Sequence, residues 1–268
     1  MLKDITLGQY MPGNTLVHRL DPRMKIILTV FYIAIIFCVK SPLWYILPLF
    51  YVGLAARLAG LSVKQLLKSV RPLRILLILT FMLNLFFSAG TTLWIQWGFV
   101  RVTREGFLTA LHFSMRLVFL VAGTSVLTLT TSPVSLSDGI EMLLKPLKAI
   151  RFPAHELAMM MTIALRFIPT LIEETDKIMK AQIARGADFE SGNLLRRAKS
   201  MVPLLVPLFV SAFRHAGDLA MAMEARCYHG GEGRTRLRVL RYASADGFAL
   251  ATTLGVLLLV IGGGILLP

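Results

Sequence analysis

"AHELAMMMTIALRFIPTLIEETDKIMKAQIAR", residues 154–185, is followed at once by Gly186. Its apolar positions fall at 157, 161, 164, 168, 171, 172, 175, 178 and 179, with Thr175 the one weak member. That three-four spacing predicts a long helix with one greasy face. Pro153 is suited to open it, Pro169 predicts a kink, and Gly186 stands where a helix-stopping glycine belongs. At 1.5 Å per residue such a helix runs about 48 Å. Polar "ADFESGN" (187–193) turns the chain. A second long helix is expected from about residue 195 to 226, with Pro203 and Pro207 in its early turns, ending before "CYHGG" (227–231).

Both helices finish on the same pair. Ala184 and Arg185 close the first, and Ala225 and Arg226 close the second, 41 residues later. One such ending carries little information, because the helix dipole favours arginine in the last turn and glycine is the commonest stop. Two long helices, both too apolar for solvent and both ending on Ala-Arg at the same phase, ask for more. A guanidinium is always charged and grips a carboxylate with two hydrogen bonds, so a fixed pair of them suits docking to a partner.

Outward from these helices the chain is greasier still. Of its 268 residues 56% are hydrophobic and 16% charged, against about 25% charged in a typical soluble domain. The uncharged runs 75–100, 117–137 and 247–268 meet the bilayer requirement of about 20 residues. Two weaker candidates precede them. Residues 26–39 are short, but Arg23, Lys25 and Lys40 can snorkel at the ends; residues 43–61 contain Pro48 and Arg57. The expected fold is all-α: a polytopic membrane protein with about five transmembrane helices, plus a cytoplasmic region of one short and two long helices. The short one is "SLSDGIEMLLKPLKAI" (135–150), with Ser137 or Asp138 as N-cap and Pro146 bending or ending it. Three regions result: 1–134 with an N-terminal arm and four spans, 135–242 with the one short and two long cytoplasmic helices, and 243–268 with the last span.

The net charge of +14 is spread between the spans instead of forming a nucleic-acid stripe interleaved with aromatics. Arg57, Lys64, Lys68, Arg71 and Arg74 crowd one inter-span loop, whereas the loop before it holds only Lys40. The positive-inside rule then predicts a cytoplasmic N-terminus and a cytoplasmic 138–242 segment. The first apolar run follows a polar arm of 25 residues, so it reads as a retained anchor and not a cleaved signal peptide. Cys38 lies in the first span and Cys227 in the cytoplasmic segment, which argues against a disulfide.

With these residues in view, nearly the whole chain resembles the transmembrane coupling (T) component of energy-coupling factor transporters, modular ABC-type importers of vitamins and trace metals. "GQYMPGNTLVHRLDPRMKI" (8–26) is similar to the family's N-terminal signature. "ALRFIPTLIEETDKIMKAQIARGADF" (164–189) and "VPLLVPLFVSAFRHAGDLAMAMEARCY" (202–228) resemble its two coupling helices, each closed by an Ala-Arg-Gly-type motif. Ala184, Arg185 and Gly186 match that motif fully. Ala225, Arg226 and Cys227 depart at the last position, which removes the glycine from the second helix end. The resemblance implies that each arginine enters a groove on one of two cytoplasmic ATPase subunits. It implies too that an apolar face carries a substrate-binding membrane S component, here Met142, Leu143, Leu144, Leu147, Met160 and Met161. Methionine surfaces repack against different partners, although the same side chains equally suit packing between helices. The implied protein is a non-catalytic subunit of the bacterial cell membrane, in contact with lipid and not with nucleic acid. It has no cofactor of its own, the ATP being bound by its partners.

Several patterns are decoys. The chain lacks G-x-x-x-x-G-K-[ST], so it is not itself the ATPase. "HGGEGRTR" (229–236) follows a helix and not a strand, which suits a loop better than a phosphate cradle. Cys227 and His229 fall short of the four ligands of a structural metal site. Glu173, Glu174 and Asp176 read as a solvated face beside Lys177 and Lys180. Arg57 and Arg116 are the only charges at possible membrane depth, and snorkelling accounts for them. Two other classes compete: a lipid-modifying membrane enzyme, which would need a cluster of acids or histidines, and a conventional ABC permease, which would need polar residues lining its spans.

Overall fold

The structure is a computed structural model. It describes residues 10–39, 41–88, 92–97, 100–146, 152–189, 193–231 and 240–266. These fall into two compact units, residues 10–140 with 240–266 and residues 141–231.

The first unit is a helical bundle. Its elements are α1 (Leu16–Arg19), α2 (Pro22–Cys38), α3 (Ile46–Leu58) after a 3-10 turn Pro42–Tyr45, α4 (Val63–Val70), α5 (Arg74–Phe87), α6 (Arg104–Thr130) and α11 (Ser244–Leu266), with α7 (Pro133–Leu144) leading out of it. Local chemistry sets the starts. Asp21 accepts from the Arg23 amide at 2.9 Å ahead of Pro22, and Ser62 with Gln65 forms a capping box on α4. Thr103 Oγ1 accepts from the Gly106 amide at 3.1 Å to start α6.

α2 packs on α6 and α11. Tyr32, Ile35, Ile36 and Val39 join Tyr45, Val52 and Val260 in the main core. α6 runs antiparallel to α2, since the Arg116 guanidinium reaches Val39 O, the Tyr32 hydroxyl reaches Phe119 O, and Lys25 Nζ reaches Thr130 O. The approach is close because Gly123 lies flush on the Tyr32 ring, where a Cβ would stand 2.0 Å from Cε1. Small residues let helices meet this way in lipid, where burial of apolar surface gives no drive.

One end of the bundle is tied by buried charges that all have partners. Lys25 Nζ donates to His18 O and Thr130 O at 3.1 and 3.0 Å, and Arg23 pairs with Asp21 at 2.8 Å and covers the Tyr242 ring. Asp246 accepts from the Asp21 and Ala243 amides. The outside of the bundle is the reverse of a soluble surface: Leu43, Phe50, Ile75, Phe87, Phe248 and Leu258 are each at least 70% exposed. Apolar cover on this scale belongs in lipid.

The second unit holds α8 (Ala154–Ala184), α9 (Leu194–Ser200) and α10 (Val202–Ala225). By length and composition five helices can cross a membrane: Val63–Phe87, Arg104–Thr130, Ala154–Ala184, Arg197–Ala225 and Ser244–Gly263. The chain is a helical, multi-pass membrane protein. The first two spans read from the sequence correspond to α2 and to the shorter apolar stretch Pro42–Leu58. α8 and α10, read from the sequence as cytoplasmic, also pass the length test. They differ in charge, because Arg166, Glu173, Glu174, Asp176, Lys177 and Lys180 line α8 and Arg214, Asp218 and Glu224 line α10.

Four details correct the sequence reading. The uncharged run 75–100 is not one helix: α5 ends at Phe87, and β1 (Leu93–Trp97) pairs antiparallel with β2 (Val100–Thr103) in a small hairpin. The run 117–137 belongs to a helix that begins much earlier, at Arg104, and stops at Thr130. The short helix begins at Pro133, where Ser132 Oγ accepts from the Ser135 amide, so Ser137 sits inside it, buried, donating to Pro133 O. The helix expected from about 195 to 226 breaks at Met201. Pro203 has no amide proton for the Lys199 carbonyl, and its ring would collide with that carbonyl.

Candidate functional site

α8 and α10 pack side by side, and their cross-contacts fix the direction. Gln182 Nε2 donates to Pro203 O at 3.3 Å, the Ser211 hydroxyl donates to Glu174, and the Phe167 and His215 rings face each other at 6.0 Å. Numbers rise on one helix as they fall on the other, so the pair is antiparallel. The Arg185 end therefore lies beside the start of α10, and the Arg226 end lies toward the start of α8. With 24 residues in α10, the two ends stand about 36 Å apart at 1.5 Å per residue.

Each end closes with the same backbone motif. After α8 the Gly186 amide donates to Ile183 O at 2.9 Å and the Ala187 amide to Gln182 O at 3.0 Å. After α10 the Cys227 amide donates to Glu224 O at 2.8 Å and the Tyr228 amide to Met223 O at 3.0 Å. Both are Schellman closures, with a left-handed residue just past the last helical one. Gly186 takes that conformation at φ +87°, as expected of glycine. Cys227 takes it as well, at φ +53°, alone among the described non-glycine residues. The missing glycine of the second motif leaves the closure unchanged and loads its strain onto Cys227.

The closures place Arg185 and Arg226 at equivalent C-cap positions, both exposed. Among the described residues neither guanidinium has a hydrogen-bond or ion-pair partner. Ala184 and Ala225, one residue back, are exposed and too small to screen the arginines. Each site thus offers a preset cation with no carboxylate partner among the described residues. Among the described residues no three His, Cys, Asp or Glu side chains gather to hold a metal ion.

The apolar set is more scattered. Met142, Leu143 and Leu144 are half-buried on the last turn of α7, Met160 and Met161 are exposed on α8, and Leu147 lies outside the described residues. The structure adds a stripe that the sequence reading passed over: Leu205, Val206, Phe209, Val210 and Phe213 are all exposed along one face of α10. Their four-residue spacing was the signal that could have found them.

A family model described as cobalt transport protein (CbiQ) matches residues 13–237. Relatives described as energy-coupling factor transporter transmembrane protein EcfT match almost end to end. The one from Acidaminococcus fermentans is 55% identical over 260 residues, covering 97% of each chain. Those from Thermosediminibacter oceani and Bacillus subtilis are 54% and 47% identical, covering 97% of both chains in the first case, and 92% of this chain and 93% of the relative in the second. The match spans both arginine-tipped helix ends, and the chain belongs to the CbiQ family as the transmembrane component of an energy-coupling factor transporter.

Proposed function

We propose that this chain links ATP hydrolysis by two cytoplasmic ATPase subunits to movement of a substrate-binding membrane S component, without itself catalysing a reaction or binding a cofactor. The observation that carries the reading is the duplicated closure: two exposed arginines, without a partner among the described residues, in one backbone geometry at opposite ends of an antiparallel helix pair. A pair facing one way at one end would suit a single partner. Opposite ends about 36 Å apart suit two partners, one per arginine.

In this mechanism Ala184, Arg185 and Gly186 form one ATPase contact and Ala225, Arg226 and Cys227 the other. Residues 135–242 form the coupling region on the cytoplasmic side of a bacterial cell membrane, with the N-terminus on the same side. As bound ATP draws the ATPases together, each carries its arginine along, and α8 and α10 shift against each other. The S component rides on apolar surface supplied by Met142, Leu143, Leu144, Leu147, Met160 and Met161 and by the α10 stripe. Displacing the helices reorients it in the bilayer. Such a mechanism needs no pocket for the substrate in this chain.

Co-purification tests the reading against a conventional permease that lines its own solute path. The full chain, captured from its native membrane through an affinity tag, should retain two ATPase subunits and a small vitamin- or metal-binding membrane protein. Capture of ATPases with no such third protein, while transport persists, favours the permease.

A further inference from the structure

The two arginine-tipped ends share a backbone but differ in their surroundings. At Gly186 a Cβ would meet nothing within 4 Å. Beyond Arg226 the chain runs onto α8, and the Gly231 backbone lies flush on the imidazole of His155. A Cβ on Gly231 would stand 2.3 Å from Cδ2 of that ring and 2.7 Å from Cγ. His155 is the second residue of α8, and its Nδ1 donates to Glu141 Oε1 on α7 at 3.0 Å. Its Nε2 is buried without a hydrogen-bond partner among the described residues. The ring is therefore oriented by Glu141 on one side and held by Gly231 on the other. Ala154 and Ala158, on either side of it in α8, are buried.

One imidazole thus joins three pieces of chain: the last turns of α7, the first turn of α8 and the segment that follows Arg226. We propose that His155 is a positioning residue that carries displacement of the Arg226 end directly into α7, so that the two ATPase arms act unequally. This rests on the function proposed above. The physical reason is close packing. On the face against Gly231, backbone and ring are in direct contact and move together, and the Glu141 hydrogen bond ties the ring to α7. At the Arg185 end the cross-link is Gln182 to Pro203, which joins α8 to α10 and does not involve α7. One arm drives α7 through His155, and the other reaches it only through the length of α8.

The test is substrate uptake per ATP hydrolysed, measured in proteoliposomes holding the complete complex. Gly231→Ala drives a methyl into the ring, His155→Ala removes the ring, and Glu141→Ala removes the acceptor; Glu141→Gln keeps an acceptor oxygen. Each Ala complex is expected to assemble and hydrolyse ATP while uptake per ATP falls about fivefold or more, the lower range of a typical coupling between sites. Glu141→Gln is expected to keep the parent ratio. Assembled Ala variants with an unchanged ratio overturn the inference. If Gly231→Ala or His155→Ala fails to assemble, the Glu141 pair decides, and equal ratios for Ala and Gln overturn it. A parent chain that captures no ATPase overturns the underlying reading, an outcome distinct from intact assembly with unchanged coupling.

Discussion

The matched closures of α8 and α10 predict that glycine is favoured at both left-handed positions, so that introducing glycine at one and removing it at the other act with opposite sign. Gly186 stands at φ +87° and Cys227 at φ +53°. Holding an L side chain in the left-handed region costs about 1–2 kcal/mol. Exchanging glycine for a side chain recovers about 0.4–1 kcal/mol from the unfolded chain. The difference is about 0.5–1 kcal/mol, favouring glycine at both sites. Neither site has contacts that would obscure it, since the Cys227 thiol is exposed and a Cβ at Gly186 meets open space. Cys227→Gly should therefore steady the α10 end and Gly186→Ala should loosen the α8 end. The assay is amide hydrogen exchange on the purified full chain, read at residues 186, 187, 227 and 228, whose amides make the closing bonds. Exchange should slow about two- to fivefold at 227 and 228 in Cys227→Gly, and quicken by a similar factor at 186 and 187 in Gly186→Ala. Shifts of the same sign at the two ends would refute the claim that they share one closure.

Two further outcomes follow from the proposed orientation and docking surface. A cysteine placed at exposed Asn193 should resist an impermeant thiol reagent in intact cells and react once the membrane is opened; labelling from outside would invert the topology. Leu143→Asp or Leu144→Asp on α7, and Phe209→Asp or Phe213→Asp on the α10 stripe, should release the S component and leave both ATPases bound in a pull-down. An unpaired charge in an apolar contact costs several kcal/mol, on the order of what holds a micromolar complex.

The parts of this architecture written as periodicity were legible in the sequence. The three-four spacing from residue 157 onward and the stop at Gly186 gave α8 almost to the residue, because a helix that buries one face has to repeat. Features set by competition between local and tertiary forces were not. "LWIQW" (93–97) carries no charge and so looked like the end of a span, yet its aromatic and β-branched residues prefer a strand once α5 has stopped. Cys227 reads as a poor helix stop and becomes a left-handed one only because Tyr228 and Met223 close the motif around it. Pro203 is visible in the sequence, but its position alone does not distinguish an early helical turn from a break at Met201. The antiparallel pairing of α8 with α10 lay beyond the sequence altogether, since it depends on contacts such as Gln182 to Pro203 that no spacing rule encodes. It changed the site most, turning two similar motifs into opposite ends of one device.

The central claim is that Arg185 and Arg226 each hold one ATPase. Truncating one member of a buried, hydrogen-bonded charge pair costs about 2–5 kcal/mol. Either Arg→Ala change should weaken ATPase retention while the other arm still holds, and the double change should abolish retention and uptake together. Arg→Lys should rescue only in part, because an ammonium cannot form the paired hydrogen bonds of a guanidinium. Simple helix capping is worth about 0.3–1 kcal/mol and predicts that lysine serves fully. The deciding measurement is ATPase retention and substrate uptake in Arg185→Ala, Arg226→Ala, the double variant and the two lysine variants, at matched membrane expression. Graded loss in the single variants and complete loss in the double is the predicted result, and normal uptake by a well-expressed double variant would contradict it.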